Sequence, residues 1–253
     1  MANLRALIFD VDGTLAETER DGHRIAFNQA FQSLGLDWTW SVDLYGELLQ
    51  VAGGKERIRF YIQHYAPFMP KVSDMFAFIA HLHKVKTAHF KAILQSGKIQ
   101  LRPGVQRLIK AACRERVRLA IATTSRRENA IALLETALSP DAPAWFDVIA
   151  AGDIVPSKKP APDIYHYVLD KMALTAEQCL VFEDTEHGLA AANNAGLKTV
   201  VTVNDYTLNQ DFSDAAMVLN HLGEPRNPPE TLAGPPLPET YFDLATAESL
   251  LYS

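Results

Sequence analysis

Short apolar runs, several of them closing on a polar or acidic residue, alternate along this chain with longer stretches of helical periodicity. That alternation constrains the fold more than any other feature. Continuous apolar runs of four to six residues suit strands buried on both faces, and helices between them suit parallel crossovers. Ala6-Leu7-Ile8-Phe9 reads as such a strand, stopped by Asp10. Arg118 to Ala122, stopped by Thr123, reads as a second, and Phe146 to Ala150 as a third. Leu180-Val181-Phe182 leads into Glu183-Asp184, Thr199 to Val203 follows after a helix, and Ala215 to Leu219 is a weaker sixth. The expected fold is α/β, with a doubly wound, mostly parallel sheet. Ligands of such sheets bind beyond the carboxyl ends of the strands, so the polar ends of the first, second and fourth strands should converge.

The segment from Glu17 to Gly97 interrupts the alternation. It carries helical periodicity, as in Ile25, Ala26, Phe27, Ala30, Phe31 and Leu34, with no strand pattern. An all-helical insert over residues 17–97 is therefore expected, lying over the strand ends of a core built from residues 1–16 and 98–253. Glu224 to Pro238 is rich in Pro and Gly and is expected as irregular surface chain; Tyr241 to Leu251 fits a strand or a helix equally.

With 253 residues, 48% hydrophobic and 21% charged, a disordered or coiled-coil chain is excluded. The net charge of −6 argues against a nucleic-acid partner. Cys113 and Cys179 lack metal-type spacing and are expected as buried thiols, which suits a reducing compartment. The apolar stretch after Met1-Ala2-Asn3 is too short for a membrane span and has no signal-peptide layout. The expected location is cytoplasmic, or plastid if a transit peptide has been removed, and a monomer is expected.

The densest chemical signal is Asp10-Val11-Asp12-Gly13-Thr14. Hydrolysis of a phosphate monoester needs a nucleophile, a proton donor for the leaving oxygen, and cancellation of negative charge. A carboxylate about 3.5 Å from a phosphate oxygen is repelled by roughly 5 kcal/mol per charge pair at an effective dielectric near 20. A divalent cation with fixed cations and amides can offset that. Two aspartates one residue apart, just past a strand, can aim two carboxylates at one spot, and Gly13 permits the turn.

Asp10-Val11-Asp12-Gly13-Thr14-Leu15 resembles the first motif of the haloacid-dehalogenase-like superfamily, and further motifs follow in order. Ile121-Ala122-Thr123-Thr124-Ser125 resembles the second, Lys158-Lys159-Pro160-Ala161-Pro162-Asp163 the third, and Glu183-Asp184 after Val181-Phe182 the fourth. The resemblance implies a Rossmann-type core with a helical cap that closes over the site. It implies a phosphatase in which Asp10 attacks phosphorus and Asp12 handles the proton. Thr123, Thr124, Ser125 and Lys159 would meet the phosphate, with Arg126 nearby. Mg²⁺ would be held by Asp10, the Asp12 backbone carbonyl, Asp184 and Glu183, and such hard oxygen ligands suit that ion.

Val51-Ala52-Gly53-Gly54-Lys55-Glu56-Arg57-Ile58, with Ala16 to Glu19 and Thr124 to Asn129, resembles the CbbY subgroup, whose members act on xylulose 1,5-bisphosphate. The expected partner is thus a small phosphorylated sugar. Glu19, His23, Tyr45, Gly53, Gly54, Lys55 and Arg57 are implied as substrate contacts, although Arg20-Asp21-Gly22 sets His23 one residue later than the subgroup pattern. His64, His81, His83 and His89 are expected to be structural. A sugar-phosphate mutase of the β-phosphoglucomutase type is the alternative, because it shares both aspartates and the cap. A dehalogenase would leave Asp12 and Glu183-Asp184 idle, and a non-enzymatic module would not keep every carboxylate.

Overall fold

The computed structural model describes residues 4–51 and 53–252. Met1-Ala2-Asn3, considered above, and Ala52 of the Val51 to Ile58 segment lie outside the described residues. The chain divides into two compact units, one of residues 1–17 and 100–253, the other of residues 18–99.

The first unit is built on a seven-stranded sheet: β1 (Ala6–Phe9), β2 (Arg118–Thr123), β3 (Val148–Ala151), β4 (Cys179–Glu183), β5 (Lys198–Thr202), β6 (Met217–Leu219) and β7 (Thr231–Ala233). Their order across the sheet is β3-β2-β1-β4-β5-β6-β7, parallel except for β7. Every side chain of β1 is buried, which explains its unbroken apolar run. The chain moves outward from β1 through β2 to β3, then returns to lay β4 on the other side of β1. The winding reverses between β1 and β4, and the crevice beyond their carboxyl ends is where such sheets bind ligands.

The helices of the second unit are α1 (Arg24–Ser33), α2 (Val42–Leu48), α3 (Gly54–Tyr65) and α4 (Met75–Gln95); those of the first, which flank its sheet on both faces, are α5 (Val105–Glu115), α6 (Arg127–Ala137), α7 (Asp163–Met172), α8 (Glu186–Asn194) and α9 (Leu244–Tyr252). Ala6 and Ile8 of β1 pack with Ile164, Tyr165 and Val168 of α7 and Ala191 of α8. The alternate residues turn to the opposite face, where Phe9 stacks on Phe182 at 4.7 Å between ring centres and Phe182 meets Phe242 edge-on. Each such buried aromatic contributes about 1.5–3 kcal/mol by its removal from water.

The second unit has, among the described residues, no β-strand. A π-helical turn, Glu19–His23, runs directly into α1. Ser41 and Asp74 cap α2 and α4 by accepting amide protons at Leu44 and Ala77. Its core is aromatic: Phe27, Phe31, Trp38, Trp40, Tyr45 and Tyr61 interlock, with Phe27 and Trp40 rings 4.6 Å apart.

Three expectations are revised and one open choice is settled. The third strand begins at Val148, because Ala142–Trp145 forms a 3₁₀ turn with Pro143 at its start and Phe146 only leaves it. Glu224 to Pro238 is not wholly irregular, since Thr231–Ala233 adds the antiparallel edge strand β7. Tyr241 to Leu251 resolves largely into the helix α9. Cys113 is exposed on α5, whereas Cys179 is buried in β4.

Candidate active site

Asp10 leaves β1 with its amide bonded to the Phe182 carbonyl of β4 at 3.0 Å. Three residues on, Gly13 takes φ +83°, a left-handed turn that an L side chain would strain. Space forbids a side chain there as well, since a Cβ on Gly13 would sit 2.0 Å from Asp184 Oδ2. The turn thus lets the first motif close against the fourth.

Asp10, Glu183 and Asp184 are all buried and each offers an oxygen within 4.8 Å of the others, an arrangement able to hold a metal ion. Hard carboxylate oxygens suit a hard divalent cation. The Asp12 carboxylate is not part of that cluster; Asp12 is half-buried and its backbone pairs with Ala16. Asn204 donates to Asp184 Oδ2 at 2.8 Å, and the Thr14 hydroxyl reaches Asp184 Oδ1 at 3.5 Å.

Lys159 enters from the loop before α7, next to a cis bond to Pro160. Its ammonium donates to Asp10 Oδ1 at 2.7 Å, to the Ala122 carbonyl at 2.8 Å and to Glu183 Oε1 at 2.5 Å. Glu183 Oε1 also accepts from the Tyr165 hydroxyl at 2.6 Å, and Oε2 accepts the Asp184 amide at 3.2 Å.

These contacts set the charges. Burial, aided by Glu183 and Asp12 and opposed by Lys159, pushes the Asp10 carboxyl up to about 7. Burial and the neighbouring Asp10 and Glu183 hold Asp184 well above the usual carboxylate range. Burial alone would lower Lys159, but Asp10 and Glu183 outweigh it and hold the ammonium charged.

Asp10, Lys159, Glu183 and Asp184 are therefore brought together. Thr123 ends β2 with its buried hydroxyl accepting the Ser125 amide at 3.1 Å. Thr124 and Arg126 are exposed, and Ser125 half-buried, in the turn before α6. In the second unit, the Tyr45 hydroxyl donates to Glu19 Oε2 at 2.5 Å and accepts from Arg57 at 3.0 Å. The buried Arg57 also donates to the Leu48 and Val51 carbonyls. Lys55 is exposed, and Gly53 and Gly54 lie at the start of α3. His23 stacks on Phe90, and its Nδ1 lies 2.5 Å from Lys86 Nζ. Burial, reinforced by Lys86 and Arg57, holds His23 well below its ordinary value, so it is neutral.

Sequence reasoning missed Tyr165, Asn204, Arg102 and Lys86. Arg102 is buried and donates to the carbonyls of Gly13, Thr202, Val203 and Asn220, while pairing with Glu17 at 3.0 Å. Asn204 could have been found by the rule that found Asp10, as a polar residue just past a strand. Tyr165 and Lys86 lie in helical apolar patterns and give no such signal.

A doubly wound sheet that gathers buried carboxylates and a lysine at its switch point, with a helical unit inserted after the first strand, defines a class of hydrolases acting on phosphate esters. The family model for haloacid dehalogenase-like hydrolase matches residues 4–196, and the chain belongs to that family, as a phosphatase of the CbbY type. It is 50% identical to Protein CbbY of Rhodobacter capsulatus over 212 residues, 84% of this chain and 91% of that protein. The CBBY-like protein of Arabidopsis thaliana is 40% identical across 97% of this chain and 74% of its own. Among solved structures, a mutant CbbY of Rhodobacter sphaeroides in complex with xylulose-(1,5)bisphosphate matches with TM-score 0.74 and 42% identity, covering 88% of this chain and 96% of that one.

Proposed function

We propose that this phosphatase hydrolyses xylulose 1,5-bisphosphate with Mg²⁺, through an aspartyl-phosphate on Asp10. The observation that carries the reading is the contact of Lys159 with Asp10 inside a buried cluster of three carboxylates. The donor set fits a hard cation: Asp10, Asp184 and the Asp12 carbonyl would hold it, with Glu183 beside them. When bound, Mg²⁺ supplies charge neutralisation for a phosphoryl group approaching an anionic nucleophile.

Asp10 is the nucleophile because its carboxylate lies at the strand end, fixed by its own amide and by Lys159. Lys159 compensates charge on the transferring group, and Thr123 to Ser125 supply hydroxyls and amides for its remaining oxygens. Asp12, half-buried rather than sealed, protonates the leaving alkoxide and then deprotonates the water that opens the intermediate. The unit of residues 18–99 serves as the substrate-selecting cap. Glu19, Tyr45 and Arg57 act as one linked polar group in it, with His23, Gly53, Gly54, Lys55 and, on the core, Arg126 as further contacts. The match to a structure holding xylulose 1,5-bisphosphate supports that substrate.

The test is phosphate release across phosphorylated sugars in Mg²⁺, with wild type and Asp10→Asn. Xylulose 1,5-bisphosphate is expected to show the highest kcat/KM, and Asp10→Asn to lose at least about a thousandfold. A rank no better than hexose phosphates would reject the substrate. An isomerised sugar phosphate without free phosphate would show the mutase instead, and turnover surviving in Asp10→Asn would reject the nucleophile.

A further inference from the structure

The proposed chemistry leaves one buried polar group beside the site without a task. Tyr165, on α7, is fully buried in the core cluster that includes Ala6, Ile8, Ala122 and Val181. From there its hydroxyl passes to the reacting side and donates to Glu183 Oε1 at 2.6 Å. Lys159 donates to the same oxygen, and its ammonium lies 5.3 Å from the Tyr165 ring centre.

An ammonium has three N–H donors, and those of Lys159 meet three acceptors. The Ala122 carbonyl belongs to β2 and cannot move without the sheet. Glu183 is a side chain, and its carboxylate needs holding if it is to act as a fixed leg. The held legs then direct the third N–H at Asp10, where a phosphoryl oxygen would arrive. Two features immobilise Glu183 besides Tyr165: the Asp184 amide on Oε2, and Gly188 in the first turn of α8. A Cβ on Gly188 would lie 2.0 Å from Glu183 Oε2, so the carboxylate occupies space that any other residue would fill.

We propose that Tyr165 is a positioning residue for phosphoryl transfer, its hydroxyl anchoring Glu183 so that Glu183 and the Ala122 carbonyl aim Lys159 at Asp10. The inference rests on the reading of Lys159 as the cation that meets the phosphoryl group. Tyr165 touches neither substrate nor nucleophile; it acts through two side chains. The aromatic ring is a packing element that Phe would reproduce, and the single oxygen is what aims the lysine.

The test compares wild type, Tyr165→Phe, Glu183→Gln, the double variant and Lys159→Met for Mg²⁺-dependent phosphate release and inhibition by vanadate. A hydrogen bond to a charged group is worth about one decade in an equilibrium or rate. Tyr165→Phe is therefore expected to lower kcat about tenfold and weaken vanadate inhibition about tenfold. KM should stay within about twofold and the Mg²⁺ half-saturation should not move. The double variant is expected to be no slower than Glu183→Gln, because both changes cut one path. Unchanged kcat and vanadate inhibition in Tyr165→Phe, or losses that multiply in the double variant, would overturn the inference. Should Tyr165→Phe fail to fold, Glu183→Gln alone carries the decision, since it leaves the core ring in place and unchanged vanadate inhibition in it refutes the aiming role. Wild-type turnover in Lys159→Met would instead strike the underlying reading of Lys159.

Discussion

Asp10 and Asp184 are carboxylates crowded into a buried space that they share with Glu183. Their protonation follows from that crowding: burial first, then neighbouring negative charge, raises Asp10 to about 7 and Asp184 well above its ordinary range. A group whose folded value is raised contributes stability at low pH and loses it as pH rises through that value. In metal-free protein Asp10 therefore costs increasing stability as pH rises from about 4 towards about 7, with Asp184 adding to it higher up, and a divalent cation held there would remove that cost by replacing the protons. The melting temperature gained on adding Mg²⁺ should grow as pH rises from about 5 to about 8. Differential scanning fluorimetry at several pH values checks this, and a gain independent of pH contradicts it. At this scale the sequence was most legible where a residue had to sit at a strand end. Asp10 and Asp184 carry charges that an apolar neighbourhood makes conspicuous, whereas Lys159, in a loop, stood out only through its resemblance to the third motif. Tyr165 escaped because an aromatic on an amphipathic helix looks like core, and its ring is core; only its oxygen belongs to the site.

At the scale of elements, buried parallel strands were legible as unbroken apolar runs, and their ends fell within a residue or two of the structure. What stayed hidden was local punctuation. Ala142–Trp145 delays β3, and Thr231–Ala233 pairs at the sheet edge although its residues are exposed and lack an apolar pattern. The first turn of α8 combines a helix start with a functional constraint. Gly188 lies where Ala would favour the helix by about 0.5–1 kcal/mol, yet its Cβ would collide with Glu183. Gly188→Ala is expected to lower kcat about tenfold and weaken vanadate inhibition to a similar degree, while far-UV circular dichroism stays unchanged. Full activity in a folded Gly188→Ala would show that the Glu183 carboxylate can relocate without consequence.

Across the whole molecule, the inserted unit leaves and re-enters the core at one place. Ala16 and Leu101 form an antiparallel bridge, the Arg102 amide bonds to the Leu15 carbonyl, and the Arg102 guanidinium binds Glu17 and the Gly13 carbonyl. An insertion whose two ends meet in a buried, fully bonded knot need not disturb the sheet that carries the chemistry. Sequence periodicity could show that a helical stretch interrupts an α/β pattern. It could not show that Arg102, lying in what looks like a linker, ties that junction to the ends of β5 and β6. No helix among the described residues is long and apolar enough to cross a membrane.

The proposed reaction requires carboxylates from the ends of β1 and β4 to share one cation. The most direct measurement is phosphate release from xylulose 1,5-bisphosphate by wild type and Asp184→Asn, each in Mg²⁺ and in excess chelator. Release is predicted in wild type with Mg²⁺ alone, falling at least about a hundredfold in chelator and in Asp184→Asn. Turnover that persists in chelator, or that survives the loss of the Asp184 charge, would contradict it.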